Sequence, residues 1–149
     1  MNKIRLLVLL YAFSTLWTQA QQFILSPKQK QDLHALIDQY ALAREKKDTM
    51  MLKEILLEDV DQLVSTGEWR IGIGESVKGM LRSSESSVGS RKLIVDKVRL
   101  LNSVSAVVDA RYEIQNQDGT LRKMWSTFIV VYSGDKWKIS AIRNMLPQR

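Results

Sequence analysis

The run GEWRIGIGESVKGM, residues 67–80, puts four glycines within thirteen residues beside Ser76 and Lys78. Those are the ingredients of phosphate-binding and nucleophile loops, but each such loop needs a fixed spacing. A Walker loop needs lysine directly after its last glycine to reach the β- and γ-phosphates, and Met80 follows Gly79. A dinucleotide fingerprint built on Gly72 and Gly74 needs a third glycine where Val77 stands, inside a strand–helix–strand unit that is not there. A nucleophile elbow on Ser76 needs glycine two residues on, where Lys78 stands. The stretch therefore reads as a turn between a short strand and a helix, with glycines supplying positive φ or close backbone packing.

The remaining chemistry-bearing residues narrow the field further. His34 is the only histidine and there is no cysteine, so one chain cannot build a multi-histidine or thiolate metal site. No cofactor motif is present. Ser133-x-x-Lys136 has the S-x-x-K spacing, but it falls in a turn and lacks the partner motifs of β-lactamases. The acids are scattered, and sequence alone sets no pair of them as general acid and base. The excess of cations is spread over Lys28, Lys30, Arg44, Lys46, Lys47, Arg91, Lys92, Arg122 and Lys123, without the dense tract or motif of a nucleic-acid binder. Tyr40 stands out as a tyrosine on a helical apolar stripe. A stripe tyrosine can pack in a core or point a hydroxyl into a cavity.

These residues need a scaffold, and the patterning supplies one. Ser26-Pro27-Lys28-Gln29 is a capping box with proline at the first helical position. Leu33, Leu36, Ile37 and Tyr40 follow at helical spacing, and Arg44, Lys46 and Lys47 suit the negative end of the helix. Asp48 caps a second helix through about Leu57. VDQLVS (60–65) alternates as a strand, Thr66-Gly67 turns, and EWRI returns. ESVKGMLRSS (75–84) reads as a third helix, and SSESSVGS (83–90) as a polar loop. Strand signals then dominate: KLIVDKVRLL, SAVVDARYEI with Ala106, Val108, Ala110, Tyr112 and Ile114 on one face, MWSTFIVVY, and KWKISAIRN. Asp118-Gly119 and Ser133-Gly134-Asp135 are the turns. The order predicts an α+β domain: three N-terminal helices packed on one face of an antiparallel sheet.

The N-terminus reads separately. Lys3 and Arg5 precede an apolar run from Leu6 to about Trp17, then Thr18-Gln19-Ala20, the three regions of a secretory signal peptide. At about 12 residues the run is too short to span a bilayer. The expectation is residues 1–20 as a signal peptide cleaved after Ala20, 21–26 as an extension, and 27–149 as one domain, secreted or periplasmic, with no membrane anchor. The formal net charge of the chain is +6, and cleavage would remove two cations from it.

The element order, together with YALAREKKD (40–48), LLEDV (56–60), GIGESVKGM and SGDKWKISAIRN, resembles the NTF2-like superfamily, in particular its SnoaL-like (DUF4440-type) branch, across residues 27–145. The resemblance implies a curved sheet, a cone-shaped pocket between sheet and helices, and frequent dimerisation through the sheet. The aromatic residues of the strands would suit a small, mostly apolar ligand in that pocket, for which Tyr40, Val64, Trp69, Tyr112, Phe128 and Arg143 are the candidate contacts. The steroid-isomerase pattern of the superfamily places Tyr40 at an oxyanion-hole tyrosine, Val64 near the catalytic base and Phe128 near a second acid. One part of three is kept, and Asp61 or Glu68 would have to supply the base. The balance favours binding without a cofactor or metal. A cofactor-free isomerase, cyclase or dehydratase centred on Tyr40 stays open, as does a noncatalytic homodimeric assembly module using Asp109 and Arg111 across the axis.

Overall fold

The computed structural model describes residues 23–86 and 89–147. The expected signal peptide and the first two residues of the extension lie outside the described residues. Helix α1 (Pro27–Lys46) begins on the capping box: the Gln29 amide donates to Ser26 Oγ at 3.2 Å, and the Ser26 amide to Gln29 Oε1 at 3.0 Å. Leu33, Leu36, Ile37 and Tyr40 are buried, and the stripe continues one turn further through Ala43 and Arg44. Lys47 ends the helix in the left-handed conformation, and the Asp48 carboxylate caps α2 (Thr49–Ile55) by accepting from the Met51 amide.

Strand β1 (Leu56–Leu63) starts directly after α2, so the second helix is two residues shorter than its pattern suggested and the strand four residues longer at its start. The pairing of β1 shifts register between Leu56 and Asp61. A bulge of this kind breaks the period of two that would mark a strand in sequence. A turn through Gly67 leads to β2 (Trp69–Ile71). Helix α3 (Gly72–Ser86) follows at once, three residues earlier than predicted, with Gly72 at φ 78° turning strand into helix. It also runs two residues further: Glu85 and Ser86, expected in the loop, are helical. Arg91 Nη2 donates to the carbonyls of Ser83 and Ser84, supplying partners that a polar serine-rich end would otherwise seek from water.

The long strands β3 (Gly89–Asn102), β4 (Ser105–Asn116), β5 (Leu121–Ser133) and β6 (Lys136–Met145) form the expected antiparallel meander. The six-stranded sheet has the order β2-β1-β6-β5-β4-β3. One expectation is corrected here. The sheet is not wholly antiparallel, because β1 joins it parallel to β6. Register shifts in β3 and between Ile129 and Val130 bend the sheet. Its inner face carries Ala106, Val108, Ala110, Phe128, Val130, Ile139 and Ile142, all buried against Leu33, Ile37 and Tyr40 of α1 and Met80 of α3. Each such large apolar side chain contributes about 1.5–3 kcal/mol on burial.

Candidate functional site

Past the core, one end of the space between sheet and helices stays open. A cleft of about 410 Å³ lies there, lined from α1 by Arg44, from β1 and its turn by Gln62, Val64, Ser65 and Thr66, and from β2 and its approach by Glu68 and Arg70. Helix α3 adds Arg82, Ser83 and Ser86; the meander adds Tyr112, Ile114, Arg122, Met124 and Asn144. Four arginines and one carboxylate face this space. The two sides differ: Tyr112, Ile114 and Met124 form an apolar cluster on the sheet, and the cations stand around it.

Arg44 is the innermost of these cations. The stripe of α1 carries it to the core side four residues after Tyr40, where it is only 5% exposed. Its Nη1 donates to the Tyr40 hydroxyl at 2.9 Å and its Nε to Ser84 Oγ at 3.3 Å. Both partners are neutral, and no carboxylate pairs with it among the described residues. Burial, the largest influence on its pKa, works against its charge; the net direction is upward through the Tyr40 and Tyr112 oxygens, which attract a cation at full strength only when ionised. Burial likewise pushes the Tyr40 phenol above its ordinary value, so the hydroxyl is neutral where it meets Arg44. The Tyr40 ring stands edge-on to Phe128 at 5.3 Å between centroids. Tyr40 and Phe128 thus pack together within the core, and Arg44 links Tyr40 to the cleft.

Arg70, 7% exposed, answers what the glycine stretch is for. Its Nε donates to Glu68 Oε1 at 2.9 Å and its Nη1 to Gln62 Oε1 at 3.3 Å. The guanidinium lies flat against α3 at Gly79, where an added Cβ would fall 2.6 Å from Arg70 Cζ. Glycine at 79 therefore makes room for a cation rather than for a phosphate. Glu68 also accepts from Arg82 Nη2 at 3.3 Å. The hydrogen bond and charge of Arg70, with a smaller contribution from Arg82, hold its carboxyl below the usual range. Arg122 reaches Ser65 Oγ at 3.1 Å and has no acid partner among the described residues. Ser126 donates to Asn144 Oδ1 at 2.7 Å, which fixes the Asn144 amide at the cleft.

The six residues expected to contact a ligand divide into three pairs. Val64 and Tyr112 line the cleft. Tyr40 and Phe128, expected as contacts, do not line it: both are buried in the core, with Tyr40 joined to the cleft only through Arg44. Trp69 and Arg143 stand on the opposite face of the sheet: Trp69 pairs with Leu63 and Leu63 with Arg143, one step out of phase with the inward row Arg70, Gln62, Ile142 and Phe128. There Arg143 holds Asp61 with two bonds, at 2.8 and 3.0 Å, and its guanidinium lies 4.8 Å from the centre of the Trp69 ring. The acids that would have to replace a missing base are both engaged, Asp61 with Arg143 and Glu68 with two arginines. Tyr40 therefore has an arginine, not a carboxylate, as its polar partner, and the cleft is cationic rather than mostly apolar.

The sequence does not single out Arg70 or Arg82, and it shows Arg44 and Arg122 only as scattered charge, Arg44 also as a cation suited to the end of its helix. The signal for Arg44 was present: it continues the 33, 36, 37, 40 spacing and so belongs to the buried face. For Arg70 the signal was a paired one, a strand arginine followed by a helical glycine, which only the packing of β2 on α3 makes legible. A second cleft, about 420 Å³ between α1 and the β5–β6 turn, has both its lysines paired internally, Lys28 with Asp32 and Lys136 with Glu54, and is lined by a further acid, Asp135. Among the described residues no group of three or more His, Cys, Asp or Glu side chains is placed to hold a metal.

No family model matches the sequence, and no curated protein matches it. Solved structures do match. An NTF2-like protein of unknown function from Shewanella oneidensis MR-1 superimposes with a TM-score of 0.67 at 18% identity, over 78% of this chain and 98% of that one. A domain of unknown function with a cystatin-like fold from Nostoc punctiforme PCC 73102 gives 0.74 at 17% identity, over 83% and 80%. An NTF2-like protein with a cystatin-like fold from Novosphingobium aromaticivorans gives 0.67 at 14% identity, over 78% and 80%. The chain therefore has the NTF2-like fold, as the resemblance implied, and these likenesses show the fold alone.

Proposed function

We propose that this chain is a binding protein that holds a small organic anion in the arginine-lined cleft, its charged group toward Arg44 and its apolar body against Tyr112, Ile114 and Met124. The observation that carries this reading is the buried Arg44 guanidinium without a counter-ion. Burying an unpaired charge costs several kcal/mol, and an anion entering the cleft would recover much of it. Arginine suits the role because its planar fork meets a carboxylate with two parallel bonds. A ligand that binds the folded chain alone raises its stability by about 2.7 kcal/mol at one hundred times Kd. Benzoate, an anion with a flat apolar body, is the first probe. At low ionic strength it should raise the melting temperature saturably in the wild type and not in Arg44→Gln. Equal shifts in the two proteins, or none in either, would sink the reading.

Two further parts of the proposal rest on other observations. The outer sheet face exposes Trp69, Ile71, Trp125 and Met145, while its central charges are already satisfied within the chain: Arg143 by Asp61, Arg111 by Asp96 and Asp109 by Thr127. A second copy of this face is the proposed partner, through apolar contact rather than an Asp109–Arg111 exchange. Sedimentation at micromolar concentration tests it, and a monomer there would exclude it. Export rests on the N-terminal pattern of Lys3, Arg5 and the following apolar run. It predicts a mature N-terminus at Gln21, read directly by N-terminal sequencing of protein recovered outside the cytoplasm.

A further inference from the structure

Among the cations of the cleft, Arg70 and Arg82 share one carboxylate, Glu68, which leaves Arg44 and Arg122 with neutral partners only among the described residues. These two do not sit together. Along the inner face of β5 the side chains run Arg122, Met124, Ser126, Phe128. Arg44 belongs to the Phe128 end through its bond to Tyr40, whose ring packs on Phe128. Arg122 stands six residues further along the strand than Phe128, is anchored by Ser65 at the mouth, and lines the same cleft from that end. Between the two ends lie Met124 and Tyr112, paired across β4 and β5, an apolar floor.

Resting on the anion reading above, we infer that the ligand is a dicarboxylate with an apolar spacer, one carboxylate at Arg44 and the other reaching toward Arg122. A single phosphate group would gather its charge at one point, whereas the two unneutralised cations are held apart by an apolar surface. The second carboxylate would add a charge-assisted contact at an exposed site, so its effect should be sensitive to salt.

The test is titration calorimetry of the purified chain with adipate, hexanoate and inorganic phosphate at low ionic strength, in wild type and Arg122→Gln. Arg122 is exposed and carries one hydrogen bond, so its replacement should leave the fold intact. The expected result is adipate binding at least tenfold tighter than hexanoate in the wild type. In Arg122→Gln that advantage should shrink to threefold or less, with hexanoate unchanged. Adipate and hexanoate binding alike, an equal loss of both in Arg122→Gln, or phosphate binding more tightly than adipate would each overturn the dicarboxylate inference while leaving anion binding intact. If none of the three binds, the anion reading falls with it.

Discussion

Replacing Arg44 by methionine should make the ligand-free protein more stable. Methionine fills a similar volume along the same stripe and carries no charge. The guanidinium it removes is 5% exposed and faces two neutral hydroxyls, so the chain loses an unpaired buried cation. The desolvation cost relieved is several kcal/mol, taken as about 5. Against it stand two hydrogen bonds from a charged donor, about 1.5–2 kcal/mol each. The balance is a gain of about 1–2 kcal/mol. For a domain of this size 1 kcal/mol moves the midpoint by about 3–4 °C, so the expected rise is about 3–8 °C. The assay is urea and thermal unfolding of both proteins after dialysis from denaturant, which strips any anion that co-purifies. The variant should also lose the benzoate-linked rise. A ligand-free Arg44→Met protein less stable than wild type by more than about 1 kcal/mol would refute the argument. It would mean that Arg44 serves the fold as a hydrogen-bonding post rather than as a site awaiting an anion.

Tyr40→Phe keeps the ring on Phe128 but removes the acceptor for Arg44 Nη1, and should cost about 1.5–3 kcal/mol by equilibrium unfolding; Tyr40→Ala should cost about 3–5. Gly79→Ala improves helix propensity by about 1 kcal/mol, yet its methyl displaces Arg70 and leaves the buried Gln62 carbonyl without its donor, so a net loss of about 1 kcal/mol is expected. A stabilised Gly79→Ala protein would show that Arg70 does not need its seat. Glu68 has a depressed pKa in the folded chain, so its ionised form contributes stability present above its unfolded pKa and lost as pH falls through the folded value. The same protonation neutralises the one acid that lines the cleft among the described residues. Sulfate, which stays ionised, should therefore bind more tightly as pH is lowered through that range, and Glu68→Gln should show the tighter affinity, about 3–10-fold, already at neutral pH. A Glu68→Gln protein with unchanged sulfate affinity would place Glu68 outside the field of the site.

The elements most legible in the sequence were those whose signal is local. Ser26 and Gln29 mark the start of α1 because capping satisfies amides within four residues of each other. The alternation from Ala106 to Ile114 marks β4 because one face meets the core and the other does not. Where a distant partner decides the outcome, the sequence alone misleads. The serines at the end of α3 look like a loop until Arg91 arrives from β3 to bond their carbonyls. Leu56 and Leu57 look helical until β6 recruits them into the sheet. The cleft was hidden for the same reason. Its arginines come from α1, β2, α3 and β5, and each alone resembles an ordinary solvated cation. The expectation of an apolar pocket followed from counting aromatic residues on the strands, but Trp69 falls on the outward phase and Phe128 is spent within the core.

The parallel pairing of β1 with β6 bears on the order in which the molecule can assemble. Asp61 and its partner Arg143 are 82 residues apart in the chain, and every contact between these two strands closes a loop of that size. Pairing of this kind forms slowly, because the loop entropy is lost before the contacts repay it. Strands β3 to β5 can zip through short turns as they appear. The β1–β2 hairpin, with the Gln62 and Arg70 it carries, must wait for β6 before it can join the sheet. The cationic cleft, which has walls on both sides of that seam, is thus completed last. Until β6 docks, the chain holds an unfinished sheet edge and four separated arginines exposed to water. A polypeptide that crosses a membrane before folding would arrive in that state, and binding competence would follow the docking of its final strand.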